Sequence, residues 1–109
     1  MTTTSAPASS QLRIALHAPT PDALARARAS ALNARKADPQ CSVRIIANAS
    51  AVATALDTPH ADADGLTQLC PNTLAHTGRQ LRAPLSVLEV PAVIALAQLQ
   101  QAGWTYIRA

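Results

Sequence analysis

The stretch Leu12–Asn48, LRIALHAPTPDALARARASALNARKADPQCSVRIIAN, decides the fold. Leu12–His17 alternates apolar and polar residues and then turns apolar, which predicts a strand. Thr20-Pro21-Asp22 follows. Thr is a good helix N-cap, Pro suits the first helical position, and Asp complements the positive end of the helix dipole. From Pro21 to about Ala37 nearly every residue is a helix former. Leu24, Ala27, Ala31 and Ala34 fall on one face, and Arg35 and Lys36 sit at the C-terminal end, where positive charge is favourable. Asp38-Pro39 stops the helix. Ser42–Asn48, rich in β-branched residues, is the second strand. A strand, a helix and a strand joined this closely make one βαβ unit.

The pattern repeats outward. Ser50 is expected to cap a short helix from Ala51 to about Leu56. Thr58–Gly65 reads as a polar loop, and Leu66–Cys70 as a weak third strand. Pro71 to about Thr77 is a short helix with Gly78 as its left-handed terminator. Leu85–Val90 is a fourth strand, Pro91–Ala102 a helix with Gly103 just past its end, and Trp104–Arg108 a closing strand. Alternating strands and helices imply parallel strands, right-handed crossovers and helices on both faces. The expected fold is therefore α/β: a flavodoxin-like, doubly wound, mostly parallel five-stranded sheet. It is a single domain over residues 11–109, preceded by a disordered Thr/Ser/Pro/Ala tail over residues 1–10.

Composition fits one small domain. The chain has 109 residues, and 49% are hydrophobic, but 25 of these are alanines and there is no Phe. Such a core relies on small side chains that let elements approach closely. No stretch nears the ~20 apolar residues of a membrane span. Two cysteines exclude a disulfide scaffold and a multi-thiolate zinc site. The start has neither the basic nor the apolar region of a signal peptide, so a cytoplasmic location with reduced thiols is expected. The net charge is +3, from dispersed basic residues. Arg26, Arg28, Arg35 and Lys36 read as the solvated face of a helix. With one Trp and one Tyr, the chain lacks the stacking aromatics of a nucleic-acid platform. Trp104 and Tyr106 read instead as core or subunit interface.

In open α/β sheets ligands bind outside the carboxyl ends of the strands. Those ends are His17, Asn48, Cys70 and Val90-Pro91. Cys70 is the sharpest feature. With Pro71 at the first helical position, Cys70 is the N-cap, and the amides of Asn72 and Thr73 point at its sulfur. That setting favours a thiolate; the bland alternative is a buried, inert Cys. His17 is a candidate to orient or deprotonate the thiol if the two strands are neighbours, against the plainer role of a His satisfied by backbone or by Thr20. Asn48 reads as a turn brace or a ligand contact. Cys41 has no helix to activate it. His76 lies nearly opposite Cys70 on its helix. His60, Asp62 and Asp64 read as solvated, so no metal and no cofactor are expected. Common uses of the fold fail on spacing. Thr73 stands where a dithiol motif needs Cys, and His76 where a Cys-dependent phosphatase needs Arg. Ala18-Pro19-Thr20-Pro21 offers no Gly for a flavin phosphate, and the ends of strands one and three lack a phospho-receiver's acids.

Four segments together resemble the DsrE/DsrF-like family of small sulfur-relay proteins. They are Leu12–Ala18, Val43–Asn48, Cys70-Pro-Asn-Thr-Leu74, and the ending that runs from Val90-Pro-Ala-Val-Ile to Leu99-Gln-Gln-Ala-Gly-Trp-Thr-Tyr-Ile107. The Cys-x-Asn-Thr-Leu and Gly-Trp-x-Tyr-Ile segments are the most specific. The resemblance implies a flavodoxin-like subunit in a homotrimer or homohexamer. It also implies a Cys, at position 70, that carries persulfide sulfur between a donor and an acceptor protein. A non-catalytic oligomeric binding module with an inert cysteine is the competing expectation, and a small-ligand site at the strand carboxyl edge a third.

Overall fold

The computed structural model describes residues 12–109, so the expected tail at 1–10 lies outside the described residues. The elements run β1 (Arg13–Ala18), α1 (Pro21–Ala37), β2 (Ser42–Ala47), α2 (Ser50–Asp57), a 3-10 turn (Asp64–Leu66), β3 (Thr67–Leu69), α3 (Pro71–Thr77), β4 (Ser86–Val87), α4 (Ala92–Gln101) and β5 (Thr105–Arg108). The five strands form one sheet in the order β4-β3-β2-β1-β5, every pair parallel. This is a compact α/β architecture consistent with the flavodoxin-like class.

The strand order dictates the layers. From β1 to β4 the chain steps in one direction, so right-handed crossovers put α1, α2 and α3 on one face. It then returns across the whole sheet to β5, which puts α4 on the other. Two cores result. Leu24, Val52, Ile45 and Leu69 belong to the three-helix side, and Ile46, Cys70, Leu88 and Leu96 to the α4 side. The alanines explain the close packing, since Ala18, Ala23, Ala27, Ala31, Ala47, Ala51 and Ala55 are all fully buried. The winding reverses between β1 and β5, so a crevice is expected at the carboxyl ends of those strands.

α1 forms as read. Thr20 Oγ1 accepts the Ala23 amide at 3.0 Å, Pro21 opens the helix, and Arg35 and Lys36 lie in its last turn. Several expectations fail for physical reasons. The fourth strand shrinks from Leu85–Val90 to Ser86–Val87. Its one partner, β3, is three residues long, and the chain leaves the sheet edge to start α4. Ser50 does not cap α2; Ala49 holds that position at φ 50°, and Ser50 Oγ turns to Pro19 O at 3.5 Å. Arg28 is not solvated but only 8% exposed. It follows Leu24 by four residues and so shares the buried face of α1.

Arg28 can be buried because Asp64 is also buried, 1% exposed, rather than solvated in its loop as the sequence suggested. Asp64 Oδ1 accepts from Arg28 Nη2 at 3.4 Å, and Oδ2 from Arg82 Nη1 at 2.9 Å and the His60 amide at 3.0 Å. Arg82 also donates to the Ala55 and Leu56 carbonyls at the end of α2. This network ties α1, α2 and the segment before β4 together. Burial lowers the Arg28 pKa from its ordinary value, Asp64 opposes that, and Arg82 adds to it.

Candidate active site: Cys70 at two helix N-termini

β3 ends at Leu69, and Cys70 is the N-cap of α3 with Pro71 at the first helical position, as expected. Pro has no amide hydrogen, so the first amides of α3 able to face the sulfur are those of Asn72 and Thr73. The second contact joins from a distant part of the chain. Ala92, the first residue of α4, donates its amide to Cys70 Sγ at 3.5 Å. The sulfur therefore sits where the N-termini of α3 and α4 converge. Cys70 is 6% exposed and belongs to the α4-side core.

Two opposing effects act on this thiol. Burial, the largest single cause, raises its pKa, because the charged form loses hydration. The Thr73 amide, the Ala92 amide, the Thr73 hydroxyl and the Asn72 amide all favour the thiolate, and together they outweigh burial. The Cys70 pKa ends below its ordinary value. The α3 amides close no full capping bond on the sulfur, so they act as oriented dipoles from the first turn. Thr73 is itself braced, its Oγ1 accepting the Ala49 amide at 3.3 Å.

His17 and Asn48 are brought together, but not with Cys70. β2 lies between β1 and β3, so the strands carrying His17 and Cys70 are two strand spacings apart, about 10 Å. The condition for His17 to act on the thiol is not met. Its ring is taken up elsewhere: Nε2 lies 2.9 Å from Asn48 Oδ1, and Nδ1 lies 2.7 Å from the Tyr106 hydroxyl. Asn48 Oδ1 only accepts, so Nε2 donates; in the neutral ring Nδ1 then accepts the Tyr106 O–H. Thr20 is not its partner, being spent on the α1 cap. An open cavity of about 460 Å³ lies beside this cluster, between the β1–β5 edge and α4.

The other sequence candidates stay apart. Cys41 is buried, with Sγ 3.7 Å from Ala34 O. His76 Nδ1 bonds the Asn72 carbonyl at 2.9 Å. Trp104 precedes β5 rather than lying in it, and the Arg44 guanidinium stands 5.4 Å from its ring centroid. Among the described residues, no three His, Cys, Asp or Glu side chains are grouped to hold a metal ion.

Sequence reasoning missed Ala92 and Tyr106. Pro91 marked a helix start but not that α4 would begin against the sulfur. Tyr106 is 89 residues from His17, and only the pairing of β1 with β5 brings them together. No family model matches the chain, and no curated protein matches it either. The site is therefore read from its geometry.

Proposed function

We propose that the protein is a cytoplasmic sulfur carrier that holds sulfane sulfur as a persulfide on Cys70. The observation that carries this reading is the Ala92 amide at 3.5 Å from Cys70 Sγ, added to the N-terminus of α3. The Cys70 thiolate attacks the outer sulfur of a donor persulfide, R–S–SH. A Cys70 S–S bond forms, the donor S–S bond breaks, and the donor leaves as R–S⁻. An acceptor thiolate then takes the outer sulfur and Cys70 departs as thiolate, with no net oxidation. The amides that lower the pKa of Cys70 also make it a better leaving group in that second step. The sequence Cys70-Pro-Asn-Thr-Leu74, which resembles the DsrE/DsrF-like motif, supports the same reading.

Low exposure slows exchange with stray thiols, and a docked partner speeds it. α3 suits this role. It is seven residues long with none fully buried, and Leu74 against the core and Thr73 on the Ala49 amide are its main ties, so it is lightly anchored. Donor and acceptor proteins are the implied partners, and the subunit is proposed to form a homotrimer or homohexamer. Val93, 71% exposed, and Ile94, 45% exposed, support assembly through α4.

The competing reading, an oligomeric binding module with an inert cysteine, is favoured by the 6% exposure of Cys70. Peptide mapping after incubation with a persulfide donor separates the two. A gain of about 32 Da on the Cys70 peptide supports the carrier; an unmodified Cys70 supports the module.

A further inference from the structure

The cavity between α4 and the β1–β5 edge belongs to neither the sulfur nor its amides. We propose that it binds a small organic carboxylate with an apolar body, held by Asn48, Gln100 and Arg108.

The sheet-side wall is polar and presents one free donor. Asn48 commits Oδ1 to His17 Nε2, which fixes its amide orientation and leaves Nδ2 as the free end. His17 and Tyr106 satisfy one another, so the ring is held in place and does not compete for the ligand. Gln100, on the α4 side of the cavity, offers a second amide from across it. Arg108, beside the cavity rather than among its lining residues, supplies the charge. It pairs with His17 in the β1–β5 register and so projects to the cavity face of the sheet. It is exposed, and no described acidic residue is paired with it. None of the cavity-lining residues is acidic. Such a site favours an anion and disfavours an amine.

Apart from Gln100, the α4 wall is apolar. Val93, Leu96 and Ala97 of α4 line it, and Val93 is the most exposed large apolar residue described. A volume of about 460 Å³ admits a ligand of some ten to fifteen heavy atoms, within the range of small-molecule sites. The position also fits the fold, because ligands of open parallel sheets sit at the carboxyl edge where the winding reverses, here between β1 and β5.

The test compares 3-phenylpropionate with its uncharged isostere 3-phenylpropionamide on the full chain, by calorimetry or ligand-observed NMR. The acid is expected to bind about tenfold tighter than the amide. Arg108→Gln should bring the two to similar affinity by weakening the acid alone, and Asn48→Asp should weaken the acid further. Arg108 is exposed, so its replacement leaves the fold intact, and unchanged melting confirms that. Equal affinities in the wild type, a preference that survives Arg108→Gln, or no saturable binding of either probe at about millimolar concentration overturns the proposal. Cys70→Ser should leave acid binding unchanged, so this result stands or falls separately from sulfur transfer.

Discussion

Cys70 Sγ receives the amide of Ala92, 22 residues further along the chain, at 3.5 Å. This contact explains the short β4. The segment after Val87 leaves the sheet early, Leu88 is buried as the anchor, and Pro91 turns the chain so that α4 starts against the sulfur. A longer fourth strand would carry the start of α4 past Cys70. The fold thus gives up strand pairing at an edge and gains a second helix N-terminus at the thiol.

The first consequence concerns pH. The rate of Cys70 alkylation, followed with Cys41→Ser to remove the other thiol, should rise with a midpoint below the ~8.5 of a free thiol. Thr73→Val removes the hydroxyl that favours the thiolate while keeping the shape, and should move the midpoint up. The stability consequence has a fixed sign. The folded-state pKa is depressed, so the thiolate's contribution is complete above the unfolded value near ~8.5 and is lost as pH falls through the folded value. Melting of wild type against Cys70→Ser across that window measures it.

The buried Asp64 network governs stability rather than chemistry. Asp64→Ala leaves Arg28 buried without its carboxylate and should cost about 3–5 kcal/mol. In a domain of this size, each kcal/mol lowers the melting temperature by roughly 4–8 °C. Asp57 pairs with Arg79 at 2.6 Å, but both side chains are largely exposed. Asp57→Ala should therefore change stability by about 0–1 kcal/mol. Thermal melts of the two variants side by side check the contrast.

The β1–α1–β2 unit was legible to within a residue because its signals are local. Thr20-Pro21-Asp22 starts the helix, Asp38-Pro39 ends it, and β-branched residues fill β2. Cys70 as an N-cap was legible for the same reason, through Pro71. What escaped depends on distant partners. The length of β4 is set by the three residues of β3, and His17 finds Tyr106 only because β5 crosses back beside β1. Arg28 was misread as solvated although its spacing from Leu24 and Ala31 places it on the buried face. Charge outweighed periodicity in that reading, and the compensating Asp64 lies 36 residues away.

Ala49 occupies φ 50°, ψ −139°, a conformation that glycine adopts far more readily. It lies between Asn48, which holds His17, and the start of α2, and its amide bonds Thr73. Ala49→Gly should raise stability by about 1 kcal/mol, against the usual direction of an Ala→Gly change. A denaturation midpoint below that of the wild type would refute the strain.

The proposed assembly draws on the uneven cover of the sheet. α4 alone covers its face, and Val93, Ile94 and the β5 residue Ile107 remain exposed. Light scattering should give a multiple of the 11.3 kDa subunit mass. Val93→Glu should shift that mass toward the monomer while leaving the far-UV circular dichroism unchanged. A monomeric wild type would contradict the proposed oligomer.

The most direct test of the sulfur-carrier reading is intact mass spectrometry after loading with a persulfide donor, followed by addition of an acceptor thiol. Wild type and Cys41→Ser should each gain a single adduct of about 32 Da and lose it to the acceptor, while Cys70→Ser gains none. No adduct on the wild type, or an equal adduct on Cys70→Ser, would contradict it.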